Sequence, residues 1–112
     1  MEKYVQTNLF AAPEKHIKPI QCQSVTPSIG YPSRIRLIVM DTFIFEFEVT
    51  SINPPHLRFK DAWYQHSKTK ERVDDCIVSG WLRGTKNTKG AYSVAYGILR
   101  DRISRINKAR KE

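Results

Sequence analysis

Arg34-Ile35-Arg36-Leu37-Ile38-Val39-Met40, followed across Asp41-Thr42 by Phe43-Ile44-Phe45-Glu46-Phe47-Glu48-Val49, decides the fold class. In the first run Ile35, Leu37 and Val39 alternate with Arg34 and Arg36. In the second, Phe43, Phe45, Phe47 and Val49 alternate with Glu46 and Glu48. A period of two in β-branched and aromatic residues sets one face of an extended chain against a core. The short Asp41-Thr42 link predicts a tight antiparallel hairpin. Asp-Thr is not a favoured hairpin pair, so the turn class stays open. On the polar face the arginines of one strand can oppose the glutamates of the other. Such cross-strand pairs contribute roughly 0.2–1 kcal/mol each.

Beyond this hairpin, Pro54-Pro55 ends the ladder. Leu57-Arg58-Phe59-Lys60 resumes alternation and predicts a third strand reaching Trp63. Gln65–Asp75 is a polar loop. Cys76-Ile77-Val78-Ser79-Gly80-Trp81-Leu82 predicts a fourth strand, in which Cys76 is a small core residue. Gly84–Gly90 is a basic loop bounded by glycine. Residues 91–109 predict a helix, because Ala91, Tyr92, Ala95, Leu99, Ile103 and Ile106 fall on one stripe of a 100° wheel. Arg102 falls inside that stripe, its stem expected on the core and its head in solvent. Gly97 lies on the outer side. The expected architecture is α+β: a three- or four-stranded antiparallel meander with one C-terminal helix packed on it and an extended N-terminal arm.

The arm is residues 1–33. Pro13, Pro19, Pro27, Pro32 and Gly30 interrupt regular structure there. A short strand around Ile17–Val25 is the one element it allows. Residues 34–112 form the single α+β domain, as expected for a chain of 112 residues. Two Trp, five Tyr and five Phe are too many for a wholly disordered chain. No apolar run approaches the ~20 residues that span a bilayer, and the first residues carry no apolar signal segment. The expectation is a cytoplasmic protein without membrane contact. Cys22 and Cys76 stand alone and are expected as reduced thiols.

Charge points to a class of partner. Residues 1–82 carry ten Lys/Arg against nine Asp/Glu, whereas residues 83–112 carry nine against Asp101 and Glu112. A basic end on a near-neutral body suits a polyanion, most often DNA or RNA. The candidate nucleic-acid-binding residues are Arg83, Lys86 and Lys89 in the second loop and Arg100, Arg105, Lys108 and Lys111 on the outer helix. Basic residues in the last helical turns also suit the helix dipole, a purely structural role. Trp63, Tyr64, Trp81, Tyr92 and Tyr96 are candidates for stacking on bases. The rival is a protein–protein adaptor or inhibitor whose basic side meets an acidic protein.

Within the arm, Gln6-Thr7-Asn8-Leu9-Phe10 resembles the bacterial sliding-clamp-binding pentapeptide Gln-x-x-Leu-Phe. Gln6, Leu9 and Phe10 match, Asn8 stands where Ser or Asp is usual, and Thr7 replaces the frequent Leu. The resemblance covers five residues and implies a partner-binding role, with Leu9 and Phe10 filling an apolar pocket on the replication clamp. A clamp-docking arm beside a basic domain fits a replication accessory or regulatory protein, of the kind a phage or mobile element encodes.

Catalytic signatures are weak. Asp41, Glu46, Glu48, Asp61, Asp74, Asp75, His16, His56 and His66 are the available groups. Glu46 and Glu48 share a strand face, as two carboxylates of a metal-dependent nuclease would. The familiar nuclease arrangement puts a lysine two residues after the acid, which Glu46-Phe47-Glu48 lacks. The histidines and cysteines lack zinc-ligand spacing. Gly84-Thr85-Lys86-Asn87-Thr88-Lys89-Gly90 has its lysine before the glycine, so it is no nucleotide-hydrolysing phosphate loop. No cofactor motif appears. The expected function is non-catalytic binding, with the adaptor and the nuclease as alternatives.

Overall fold

A computed structural model describes residues 19–111, with no account of the Lys111 side chain. Four strands form one antiparallel meander in the order β1 (Ile20–Thr26), β2 (Arg34–Val39), β3 (Phe43–Ser51), β4 (His56–Tyr64). Two helices follow, α1 (Asp75–Arg83) and α2 (Ala91–Lys111). The α+β class, the central hairpin and the C-terminal helix are as the sequence predicts.

The hairpin register places Ile35 opposite Phe47, Leu37 opposite Phe45 and Val39 opposite Phe43. These side chains form the inner face and, except for the half-buried Phe43, are fully excluded from water. Ala91, Ala95, Leu99 and Ile103 of α2 cover them, the stripe that a 3.6-residue period demands. The turn centres on Met40 and Asp41, one residue earlier than expected. Both have positive φ (51° and 52°), and the Thr42 amide donates to Val39 O at 3.0 Å. Two such residues give a hairpin turn whose twist matches the strands.

The fourth strand of the meander is β1, drawn from the end of the stretch read as an arm, and not residues 76–82. Those residues form α1, which corrects the expected strand. Ile77 and Trp81, and Val78 and Leu82, recur at the four-residue spacing of a helix. Asp75 in the first turn suits the helix dipole, and Gly84 ends the helix with φ 77° and ψ −165°. Pairing with the β4 edge is instead made briefly by residues 71–73: Tyr64 N–H donates to Glu71 O and Val73 N–H to Ala62 O. Cys76 is exposed on α1, not buried in a strand, and both cysteines are free thiols.

The opposite sheet face is polar but not open. Glu46 is 6% exposed and accepts from Arg36 Nε at 3.1 Å and from Arg34 at 3.4 Å. Glu48 pairs with Arg58 at 2.8 Å. Each glutamate thus has the arginine partners its register allows. Ile44 and Trp63 are buried on this face, with Arg36 and Lys70 over the indole at 5.3 and 5.0 Å.

Candidate functional site

The segment joining α1 to α2 is a pinched loop. Its waist is Gly84 and Gly90. A Cβ on Gly84 would overlap Gly90 N and Thr88 O, and one on Gly90 would overlap Leu82 O. Only two bare backbones can cross this closely. Between them the Thr85 amide donates to Thr88 O at 2.8 Å, and Thr85 Oγ1 accepts from the amides of Asn87 and Thr88. The loop is therefore held by its own hydrogen bonds. Lys86 and Lys89 project from it, and Arg83 precedes it in the last turn of α1; all three are exposed. Three cations within seven residues, with no acid among them, give a fixed positive rim.

The second group lies along the outside of α2. Arg100 and Lys108 are exposed and two turns apart, with Ser104 between them. Arg100 lies over the Tyr96 ring at 5.8 Å. Arg105 is exposed but pairs with Asp101 at 3.1 Å, a surface pair one helical turn long and worth about 0.3–0.5 kcal/mol. Arg100 sits about 15 Å along the axis from the pinched loop, at 1.5 Å per residue. The structure thus places Arg83, Lys86 and Lys89 along the last turn of α1 and the pinched loop, and Arg100 and Lys108 along the outside of α2, with Arg105 about 140° round the helix axis from Arg100. The Lys111 side chain and the segment with Gln6, Leu9 and Phe10 lie outside the described residues.

Not every basic residue of this end is available. Arg102 is half-buried, and its head does not simply reach solvent. It donates to Pro27 O at 3.2 Å and Gly30 O at 3.3 Å, holding the β1–β2 loop. Arg110 donates to the Tyr31 hydroxyl, which itself donates to Asn107 Oδ1 at 2.6 Å. These two arginines are latches for the loop across which β1 pairs with β2.

Of the aromatic candidates, Trp63 is sealed beneath Arg36 and Lys70. Tyr64 packs on Phe43, and the Tyr92 hydroxyl donates to Leu57 O. Trp81 is different. It is half-buried, and it lines a cleft of about 350 Å³ between α1 and the 84–88 segment, together with Ile77 and Gly80. Trp81 stands out in the sequence as a stacking candidate, whereas the cleft leaves no sequence pattern. No family model, curated protein or solved structure matches the chain.

The carboxylates are placed for structure. Glu46 and Glu48 are occupied by arginines, and Asp61 pairs with Arg72 at 3.3 Å. The Arg58 guanidinium, by hydrogen bond and then by charge, holds the Glu48 carboxyl below its ordinary value. Among the described residues no three His, Cys, Asp or Glu side chains gather into a metal-binding group. No described helix is long and apolar enough to cross a membrane.

Proposed function

We propose that the protein binds DNA or RNA without catalysing a reaction on it, using the pinched 84–90 loop as its anchor and the Arg100–Lys108 ridge as a second contact. The observation that carries this reading is the self-bonded loop. It holds Arg83, Lys86 and Lys89 on a rigid segment, and among the described residues none of the three is within salt-bridge distance of a carboxylate. A loop backbone already held by its own hydrogen bonds has less to order on meeting phosphates. Phosphate neutralisation releases counterions, and the salt dependence counts the contacts.

The test is the affinity for a labelled oligonucleotide across a salt series. Five exposed cations (Arg83, Lys86, Lys89, Arg100 and Lys108) predict a log–log slope of up to about −3.5 on single strands, at about −0.7 per phosphate. Lys86→Glu with Lys89→Glu removes two of these contacts and flattens the slope by about 1.4. No retention on nucleic acid, with tight binding to an acidic protein, replaces this reading by the adaptor. Cleavage of the strands in magnesium or manganese, abolished by Glu46→Gln, replaces it by the nuclease.

The Gln6, Leu9 and Phe10 pattern supports a second contact, docking on a sliding clamp, which would tether the basic loop near replicating DNA. Leu9→Ala with Phe10→Ala removes clamp binding and leaves oligonucleotide affinity unchanged. Failure of the wild-type chain to bind a bacterial clamp removes this part alone.

A further inference from the structure

We propose that the cleft between α1 and the 84–88 segment receives one unstacked base, so that the protein prefers single-stranded to double-stranded nucleic acid. This rests on the nucleic-acid reading above and assigns that site its class of ligand. The cleft has a volume of about 350 Å³, near the lower end for ligand pockets, which suits a single ring system and not an extended ligand. Its wall is mostly apolar: the Trp81 indole, Ile77, and the bare backbone of Gly80. A Cβ placed on Gly80 would meet nothing within 4 Å, so the missing side chain leaves open space beside the indole. Thr85 and Thr88 line the loop side; Thr85 Oγ1 already accepts from two loop amides and keeps its own proton as a donor.

Charge then fixes how a strand enters. Arg83 and Lys86 stand at the loop end, and Lys89 follows across the loop on the side of Ile20 and Val94. Asp74 and Asp75 stand at the opposite end of α1, one residue before Cys76, which also lines the cleft. A base in the cleft therefore has its phosphates drawn toward the loop and away from the acids. An apolar peptide side chain would gain nothing from the three cations, whereas a nucleotide uses both features. A base within a duplex reaches the indole only by leaving its stack, an added cost that a single strand avoids. Stacking on one aromatic side chain is worth roughly 5- to 150-fold in affinity.

Gly80→Leu starts from a Cβ that meets nothing within 4 Å and projects its branch into the cleft. Circular dichroism and thermal melting establish that the variant folds. Wild-type protein is expected to bind a fluorescein-labelled oligo-dT strand roughly 10-fold or more tightly than a duplex of equal length, with quenching of tryptophan emission. Gly80→Leu is expected to lose that preference and leave duplex binding unchanged. Trp81→Phe, which keeps an aromatic wall, should abolish the quenching while retaining most of the affinity, which identifies the reporting indole. Equal binding of strand and duplex, or single-strand binding by Gly80→Leu that matches wild type, overturns the base site while leaving the phosphate-binding loop in place. No binding of either nucleic acid overturns both.

Discussion

Two glycines four residues apart should respond to alanine with opposite signs. Gly80 lies inside α1, and a Cβ there meets no atom within 4 Å. Glycine in a helix interior costs roughly 0.5–1 kcal/mol relative to alanine, because the unfolded chain has more freedom to lose. Gly80→Ala should therefore stabilise by about that amount. Gly84 has φ 77° and ψ −165°, a region that only glycine occupies freely. Holding alanine there costs about 1–3 kcal/mol. Its Cβ would also overlap Gly90 N and Thr88 O, both backbone, so relief requires the waist of the loop to open. Overpacking of this kind adds about 1–3 kcal/mol. Together the loss is about 2–6 kcal/mol, a large share of the 5–15 kcal/mol typical of a domain. At about 4 °C per kcal/mol the melting temperature should fall by about 8–24 °C. Urea titration followed by far-ultraviolet circular dichroism measures both variants on one scale. A Gly84→Ala variant within about 0.5 kcal/mol of wild type, at the low end of typical effects, would refute the pinched geometry. So would Gly80→Ala proving the more damaging of the two.

Other expectations follow from the packed arginines. Glu46→Gln keeps the shape of a buried side chain but removes the charge that Arg34 and Arg36 share; both arginines retain some contact with water, so the loss should be about 1–2 kcal/mol by urea titration. For Glu48 the sign is set by a folded-state pKa below the unfolded one: its stabilising effect is present above the ordinary carboxylate range and disappears as pH falls through the lowered folded value. NMR titration should find Glu48 protonating below the ordinary glutamate range, and Arg58→Ala should raise it toward that range. Arg102→Ala frees the carbonyls of Pro27 and Gly30, so amide exchange should quicken within residues 27–33 while strands β2 and β3 stay protected. Uniform acceleration across the sheet would show that Arg102 holds more than this loop.

The central hairpin was legible because its signal is local and redundant: two alternating runs, each with its own aromatic or β-branched face, joined by a short link. Helix α2 was legible for the same reason, since Ala91, Ala95, Leu99 and Ile103 repeat at helical spacing over four turns. Helix α1 was not. It is nine residues long, and Ile77-Val78 is a β-branched pair that suits a strand equally well. The signals that favour helix lie at its ends, Asp74 before it, Asp75 in its first turn and Gly84 after it. The cleft was illegible for a different reason. It is made by a side chain that Gly80 does not have and by a chain reversal that Gly84 and Gly90 permit, and neither leaves an apolar or charged pattern to read.

The same holds for the charge count. In sequence the nine basic residues of 83–112 look equivalent, yet they do different work once the chain is folded. Arg102 and Arg110 reach segments more than seventy residues earlier, where planar guanidinium groups serve backbone carbonyls and a tyrosine. Arg34, Arg36, Arg58 and Arg72 do likewise for the sheet carboxylates. The lysines of this end, Lys86, Lys89 and Lys108, make no ion pair among the described residues. The division follows from chemistry: a guanidinium offers five donors in a fixed fork and is weakly hydrated, so it is suited to structural contacts, while an ammonium on a flexible stem stays in water as a point charge. A lysine on this loop meets phosphate as a point charge, while a guanidinium such as that of Arg83, unpaired among the described residues, can meet it with two parallel donors. The basic end thus separates into two arginine latches, Arg102 and Arg110, that hold the β1–β2 loop, and five exposed cations, Arg83, Lys86, Lys89, Arg100 and Lys108, that the proposed function assigns to a polyanion. The cleft proposed above as a base site would add what a uniform positive surface lacks, a place that distinguishes an open base from a stacked one.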